Sequence, residues 1–242
     1  MIKKLILLIL IFTLSSTQSF TQELFNKDIN EVDSEGRRQG LWKAYDGNGN
    51  LKFEGNFKDN VPVGEFRYFY PNGRTKAISF MYNDGKESRT RVYSKGGLLI
   101  AQGKYLDKQK DSIWLYYSDY DGSLVAEEVY ENTEKAGIWK SYYENGKVAE
   151  EVSYREGEKN GSWKQYFTEG SIKLKAKYTD GKLEGLMVVY HLNGQVNLSG
   201  TYIRNFKDGT WMYFNDHAET VRKEVYDRGT LISTEEYETM YK

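Results

Sequence analysis

The sequence predicts an all-β protein: an elongated, solenoid-like rod of antiparallel β-meander, built from about eight 24-residue β-hairpin repeats and preceded by a signal peptide. Three observations predict it. Aromatic residues recur in one column, Tyr45, Phe69, Tyr93, Tyr117, Tyr142, Tyr166, Tyr190 and Phe214, in steps of 24 residues with one step of 25. Three positions earlier runs a second column, Trp42, Phe66, Thr90, Trp114, Trp139, Trp163, Met187 and Trp211. Turn-forming dipeptides then share one slot of the repeat: Asn48-Gly49, Asn72-Gly73, Gly96-Gly97, Asp121-Gly122, Asn145-Gly146 and Asn193-Gly194. Abundant tyrosine (21) and glycine (23) with only 2 prolines suits twisted hairpins.

At the start of the chain, Lys3 and Lys4 precede an apolar run, Leu5 to Leu14, and a small polar stretch, Ser15 to Ser19. That order of basic, hydrophobic and small-polar regions predicts a signal peptide over 1–21, cut after Ser19 or Thr21. The run is about half the ~20 residues that a spanning helix needs, which disfavours an uncleaved anchor. There is no cysteine, so a lipoprotein anchor, disulfides and thiolate metal sites are excluded. Residues 22–39 read as a linker or docked lead-in. The array follows over 40–237, with repeats starting near 40, 64, 88, 112, 137, 161, 185 and 209, and residues 238–242 form a tail.

Within a repeat, the stretch from Gly161 shows the logic. A strand runs to about Phe167, Glu169-Gly170 turns, and a second strand runs to Tyr178. A two-residue type I′ turn sets the expected register: Phe167 faces Ile172, Gln165 faces Leu174 and Trp163 faces Ala176. The same register sets Trp42 over Gly55 and Met187 over Gly200, so that Gly55 and Gly200 receive large side chains. Leading glycines such as Gly137 and Gly209 are expected to bend the chain between repeats. The departures are Ser88, Thr90, Ser112 and Met187, the extra residue near Tyr120, and His217-Ala218 in the last turn, which is expected to be looser. The two columns lie three residues apart and so on opposite faces of a strand. Trp42, Trp114, Trp139, Trp163 and Trp211 are read as a structural spine. The tyrosine column, from Tyr45 to Phe214, lies on the charged face and is the candidate interaction surface.

These residues resemble a known family. Gly137-Ile138-Trp139-Lys140-Ser141-Tyr142-Tyr143-Glu144-Asn145-Gly146-Lys147-Val148, with Tyr154, resembles the MORN repeat in its bacterial variant form, and the likeness extends over about Gly40 to Ile232. The resemblance implies a hairpin array that acts as a scaffold. It also implies two further possibilities: contact with membrane lipids, and an antitoxin role.

Chemistry is sparse. The two histidines, His191 and His217, are read as exposed turn residues, so no metal site, cofactor site or catalytic group is expected. Asp46 to Asn50 lacks the glycine and terminal glutamate of a calcium loop. Adjacent carboxylates such as Glu150 and Glu151 point to opposite faces. Losing Lys3 and Lys4 with the leader leaves 32 basic against 35 acidic residues, interleaved, which disfavours nucleic acid. The expectation is an exported, non-enzymatic protein that binds another protein, with antitoxin or immunity binding as the alternative. Lipid headgroups, through Lys173, Lys175 and Lys177, or a glycan on the aromatic face are further candidate partners.

Overall fold

The computed structural model describes residues 28–239. The proposed leader and the last three residues of the tail lie outside them. The described chain falls into two compact bodies, divided between Gly85 and Lys86. The N-terminal body contains β1 (Glu31–Val32), β2 (Arg38–Tyr45), β3 (Leu51–Lys58), β4 (Val61–Phe69), β5 (Thr75–Tyr82) and one 3-10 turn, Asn83–Gly85. Each strand pairs antiparallel with the next. From residue 28 on, the lead-in is docked: β1 lies against β2, and Asp33 accepts hydrogen bonds from the Arg37 backbone and side chain and from Gln39. These bonds, the Arg37 backbone first, hold the Asp33 carboxyl well below the usual range.

The C-terminal body contains β6 (Glu87–Tyr93), β7 (Leu99–Leu106), β8 (Gln109–Tyr117), β9 (Leu124–Glu131), β10 (Glu134–Lys135), β11 (Gly137–Tyr142), β12 (Val148–Arg155) and β13 (Glu158–Tyr166). It continues with β14 (Ile172–Thr179), β15 (Lys182–Leu183), β16 (Gly185–Tyr190), β17 (Val196–Ile203), β18 (Phe206–Phe214), β19 (Thr220–Asp227) and β20 (Thr230–Glu236). This is an antiparallel meander throughout. Twenty segments replace the sixteen or so of the repeat reading. Ala136 and Glu184 each interrupt a strand, and β1 and β20 flank the array.

Two kinds of turn alternate, and the pair of left-handed residues expected within the repeat is found between repeats instead. Within a repeat the glycine turns are not type I′. The Tyr column residue is the last paired residue, so Tyr166 rather than Phe167 faces Ile172, with a bulge beside it. Five residues then close the loop: Phe167 N–H bonds Ser171 O, and Gly170 N–H bonds Phe167 O. Only the glycine is left-handed there, as at Gly49 (φ 82°) and Gly146 (φ 77°). The pattern is a type I turn followed by a left-handed glycine. Both central residues are left-handed in the turns between repeats: Asp59-Asn60, Asp107-Lys108, Asn132-Thr133, Glu156-Gly157, Asp180-Gly181, Arg204-Asn205 and Arg228-Gly229. Asn and Asp tolerate that region, which is why several of these turns manage without glycine. The last repeat keeps the ordinary loop. Ala218 takes φ 63° and its N–H bonds Asn215 O at 3.1 Å, so the expected looseness is absent.

Each body has its own buried core. Phe57 and Phe66 are buried in the N-terminal body; Ala101, Trp114, Val152, Leu174, Met187 and Trp211 are buried in the C-terminal one. Ser112 stands where other repeats have a leading glycine and takes the same left-handed turn (φ 59°).

Candidate interaction face

The Trp column is built by contacts that reach one strand further than the hairpin register suggests. Trp42 does pair with Gly55, and Met187 with Gly200. The ring lying on each glycine, however, belongs to the next repeat. A Cβ on Gly55 would fall inside the Phe66 ring, one on Gly103 inside the Trp114 indole, and one on Gly200 inside the Trp211 indole. Glycine is required there because the ring occupies the space of its side chain. The indole N–H then reaches a backbone carbonyl, Lys104 O for Trp114 (2.9 Å) and Thr201 O for Trp211 (3.3 Å).

A cation covers the outer side of these rings. Lys110 lies 5.1 Å from the Trp114 centroid, 4.9 Å from Tyr116 and 5.2 Å from Tyr130. Lys207 lies 4.4 Å from Trp211 and 4.8 Å from Tyr226, and Lys135 lies 4.3 Å from Trp139. Arg38 covers Phe57 at 3.8 Å. Such cations sit four residues before the Trp column, a periodic signal that the sequence reading passed over. Their aliphatic stems cover apolar surface while their charge meets the ring faces. Glu224 closes the Lys207 group: it accepts the Tyr213 hydroxyl at 2.5 Å and the Tyr226 hydroxyl at 2.9 Å, and these bonds hold its carboxyl below the ordinary value.

The Tyr column lies on the other face, and most of it is engaged. Tyr45 is exposed, whereas Phe69, Tyr93, Tyr117, Tyr142, Tyr166, Tyr190 and Phe214 are half-buried. Three hydroxyls bond a side chain fifteen residues earlier, in the preceding repeat. Tyr142 donates to Glu127 (3.0 Å), Tyr166 donates to Glu151 (2.9 Å), and the Tyr117 oxygen accepts from Gln102 (2.6 Å). Burial first, and then the neighbouring carboxylate, pushes the Tyr142 and Tyr166 hydroxyls up to about 12.

The same glutamates belong to a cross-strand charge ladder. Glu127 stands opposite Lys140, Lys140 opposite Glu151, and Glu151 opposite Lys164. Lys140–Glu127 and Lys164–Glu151 approach to 3.8 Å. At β14 the ladder inverts. Lys175 occupies the repeat position of Glu127 and Glu151, and it stands opposite Lys164 on one side and Val188 on the other. Tyr190 thus has a lysine where Tyr142 and Tyr166 have a carboxylate, with Lys175 at 5.5 Å from its ring. Lys173, Lys175 and Lys177 are all exposed and share this face, and Leu186 beside them is 61% exposed.

Of the two histidines, one differs from expectation. His191 is half-buried, with Nε2 3.0 Å from Phe214 O, while His217 is exposed with Nδ1 2.8 Å from Asp216. Among the described residues no group of three or more His, Asp or Glu gathers as a metal site, and no helix is long and apolar enough to cross a membrane.

Comparison with known proteins agrees with the repeat. The MORN repeat variant matches at residues 38–59, 135–156 and 159–180. No curated protein matches the chain. Among solved structures, a chain of the Photorhabdus luminescens Tc holotoxin pore bearing a TccC3 mutation is similar at 11% identity and a TM-score of 0.23, over 82% of this chain and 13% of that one.

Proposed function

We propose that this chain, which carries repeats of the MORN repeat variant, is an exported, non-enzymatic scaffold or interaction module that binds another protein on the face bearing the tyrosine column. The observation that carries this reading is the contrast between the faces. On the tryptophan side the deepest rings lie between backbone and a cation. On the tyrosine side Lys173, Lys175, Lys177 and Leu186 stand open. An exposed apolar side chain within a one-signed patch suits recognition more than packing. The half-buried tyrosines rigidify that face by tying neighbouring repeats together, and the open residues between them make the contact.

Export rests on Lys3, Lys4 and the apolar run that follows. Fractionation of the native cell that leaves the protein in the cytoplasm would remove that half of the proposal. Affinity capture with the mature protein from its envelope fraction tests the other half. A specific protein, retained by the folded and not by the denatured bait, is the expected result. Capture that does not distinguish the two would overturn the reading. Neutralising a toxin by binding is the alternative form of the same reading, and a captured toxin would select it. Vesicle co-sedimentation tests the lipid-headgroup alternative, and binding indifferent to salt would rule out a charge-driven one.

A further inference from the structure

We propose that the lysine strip of β14, with Leu186 and Val188 of β16 beside it, is the docking site for an extended acidic segment of a partner protein. This proposal rests on the protein-binding reading above. Four observations carry it. First, the strip is unbalanced. Lys173, Lys175 and Lys177 make no ion pair among the described residues; Lys173 and Lys175 meet rings instead, Phe167 at 6.0 Å and Tyr190 at 5.5 Å. Second, it departs from the two repeats before it at one position. The two preceding repeats place Glu127 and Glu151 where Lys175 stands, and that change sets two lysines directly opposite each other. Directly opposed like charges destabilise a sheet, and an incoming anion relieves them.

Third, the strip has edges. Glu151 lies beyond Lys164 on one side. On the other, the row continues through uncharged Val188, Ser199 and Met212. A plane of negative charge would meet Glu127 and Glu151 as well as the lysines, whereas a single extended chain fits between them. Fourth, the spacing matches. Alternate residues on a strand recur every ~7 Å, so carboxylates at alternate positions of an extended segment run in step with the three lysines. Leu186 and Val188 lie alongside to take an apolar neighbour.

A short labelled peptide of alternating glutamate and serine is the probe, with its glutamine counterpart, an oligothymidylate and phosphatidylserine vesicles as comparators. The glutamate peptide should bind, more weakly as salt rises. Lys175→Glu should weaken it by about tenfold or more while keeping the melting temperature at or above that of the parent, since it restores the ladder between Lys164 and Tyr190. Lys76→Glu, on an exposed lysine of the other body, should leave binding intact. The proposal is overturned if Lys175→Glu binds like the parent, if Lys76→Glu weakens binding equally, or if vesicles or oligothymidylate bind and the peptide does not. Capture from the envelope separates the two readings. A partner still held by the Lys175→Glu protein sinks this site and leaves the scaffold reading standing, and a parent protein that binds the peptide yet captures nothing specific sinks the scaffold reading alone.

Discussion

Trp114 and Trp211 retain 2% of their surface, whereas Trp139 and Trp163, from the same column, remain partly exposed. The tryptophans are chemically identical and their strands pair alike. What differs is one residue on the strand before each. Trp114 and Trp211 lie on Gly103 and Gly200. Trp163 faces Val152, and by the same register Glu128 falls opposite Trp139. Met187, over Ala176, is intermediate in partner size and is 8% exposed. Depth of burial is therefore set by the neighbour's Cβ rather than by the tryptophan. Trp163 even turns its N–H to a different acceptor, Glu150 at 2.7 Å.

The contrast breaks first at the glycines. Gly200→Ala or Gly103→Ala places a methyl where the indole sits, and should cost about 1–3 kcal/mol of overpacking in denaturant unfolding. An unchanged midpoint would sink the seating argument. The cations come next. Lys207→Gln removes cover from three rings and a charge beside buried Glu224, and should cost about 1–2 kcal/mol. Lys159→Gln loses one ring, Tyr178 at 5.0 Å, and should cost about 0.5 kcal/mol. Equal effects in thermal melts would mean that the cover is incidental.

Alkali should separate the regions again. Tyr142 and Tyr166 keep their protons to about 12 when folded, above the ordinary value of about 10. The folded state therefore holds more protons than the unfolded one in that window. The stability they contribute is full below pH ~10 and lost as pH rises through about 12. Tyr116 and Tyr130, hemmed by burial and Glu128, are held higher still. Ultraviolet titration should lose amplitude near pH 12 in the Tyr142→Phe and Tyr166→Phe proteins, below the step of Tyr116 and Tyr130, and an unchanged amplitude there would contradict this order. The smallest effect is a sharpening one. Val152→Gly should let Trp163 sink, shifting its fluorescence to the blue and slowing quenching by acrylamide; a red shift would refute the comparison.

The meander, the two columns and their opposite faces were legible in the sequence because period and side-chain alternation are one-dimensional signals. The pairings Trp163 with Ala176 and Trp42 with Gly55 were legible too. Turn type was not. An Asn-Gly pair serves a type I′ turn or a type I turn with a left-handed glycine equally well, and choosing between them needs the bulge at the strand end. The packing partner of Gly55 was missed because the expected register counted only the two strands within one repeat, while Phe66 comes from the following repeat. The Lys110, Lys135 and Lys207 covers were missed because interleaved charge reads as a solvated face until a ring is found beneath it. The inversion at Lys175 was visible as a lysine row, but its meaning depends on Lys164 standing opposite.

The seat of each deep ring also has an inheritance. Gly200 and Trp211 lie eleven residues apart and belong to successive copies of the 24-residue period. The lock and its key are therefore never carried by the same copy. Duplicating, deleting or shuffling whole copies separates every such pair at the junction, and the new neighbours fit only if the incoming tryptophan meets a glycine. Recombination along this chain is thus filtered at its seams. Copies whose last strand presents glycine can be followed by one with a deep tryptophan, and copies ending like the one with Val152 cannot. The order of repeats, and not their number alone, is what the fold preserves.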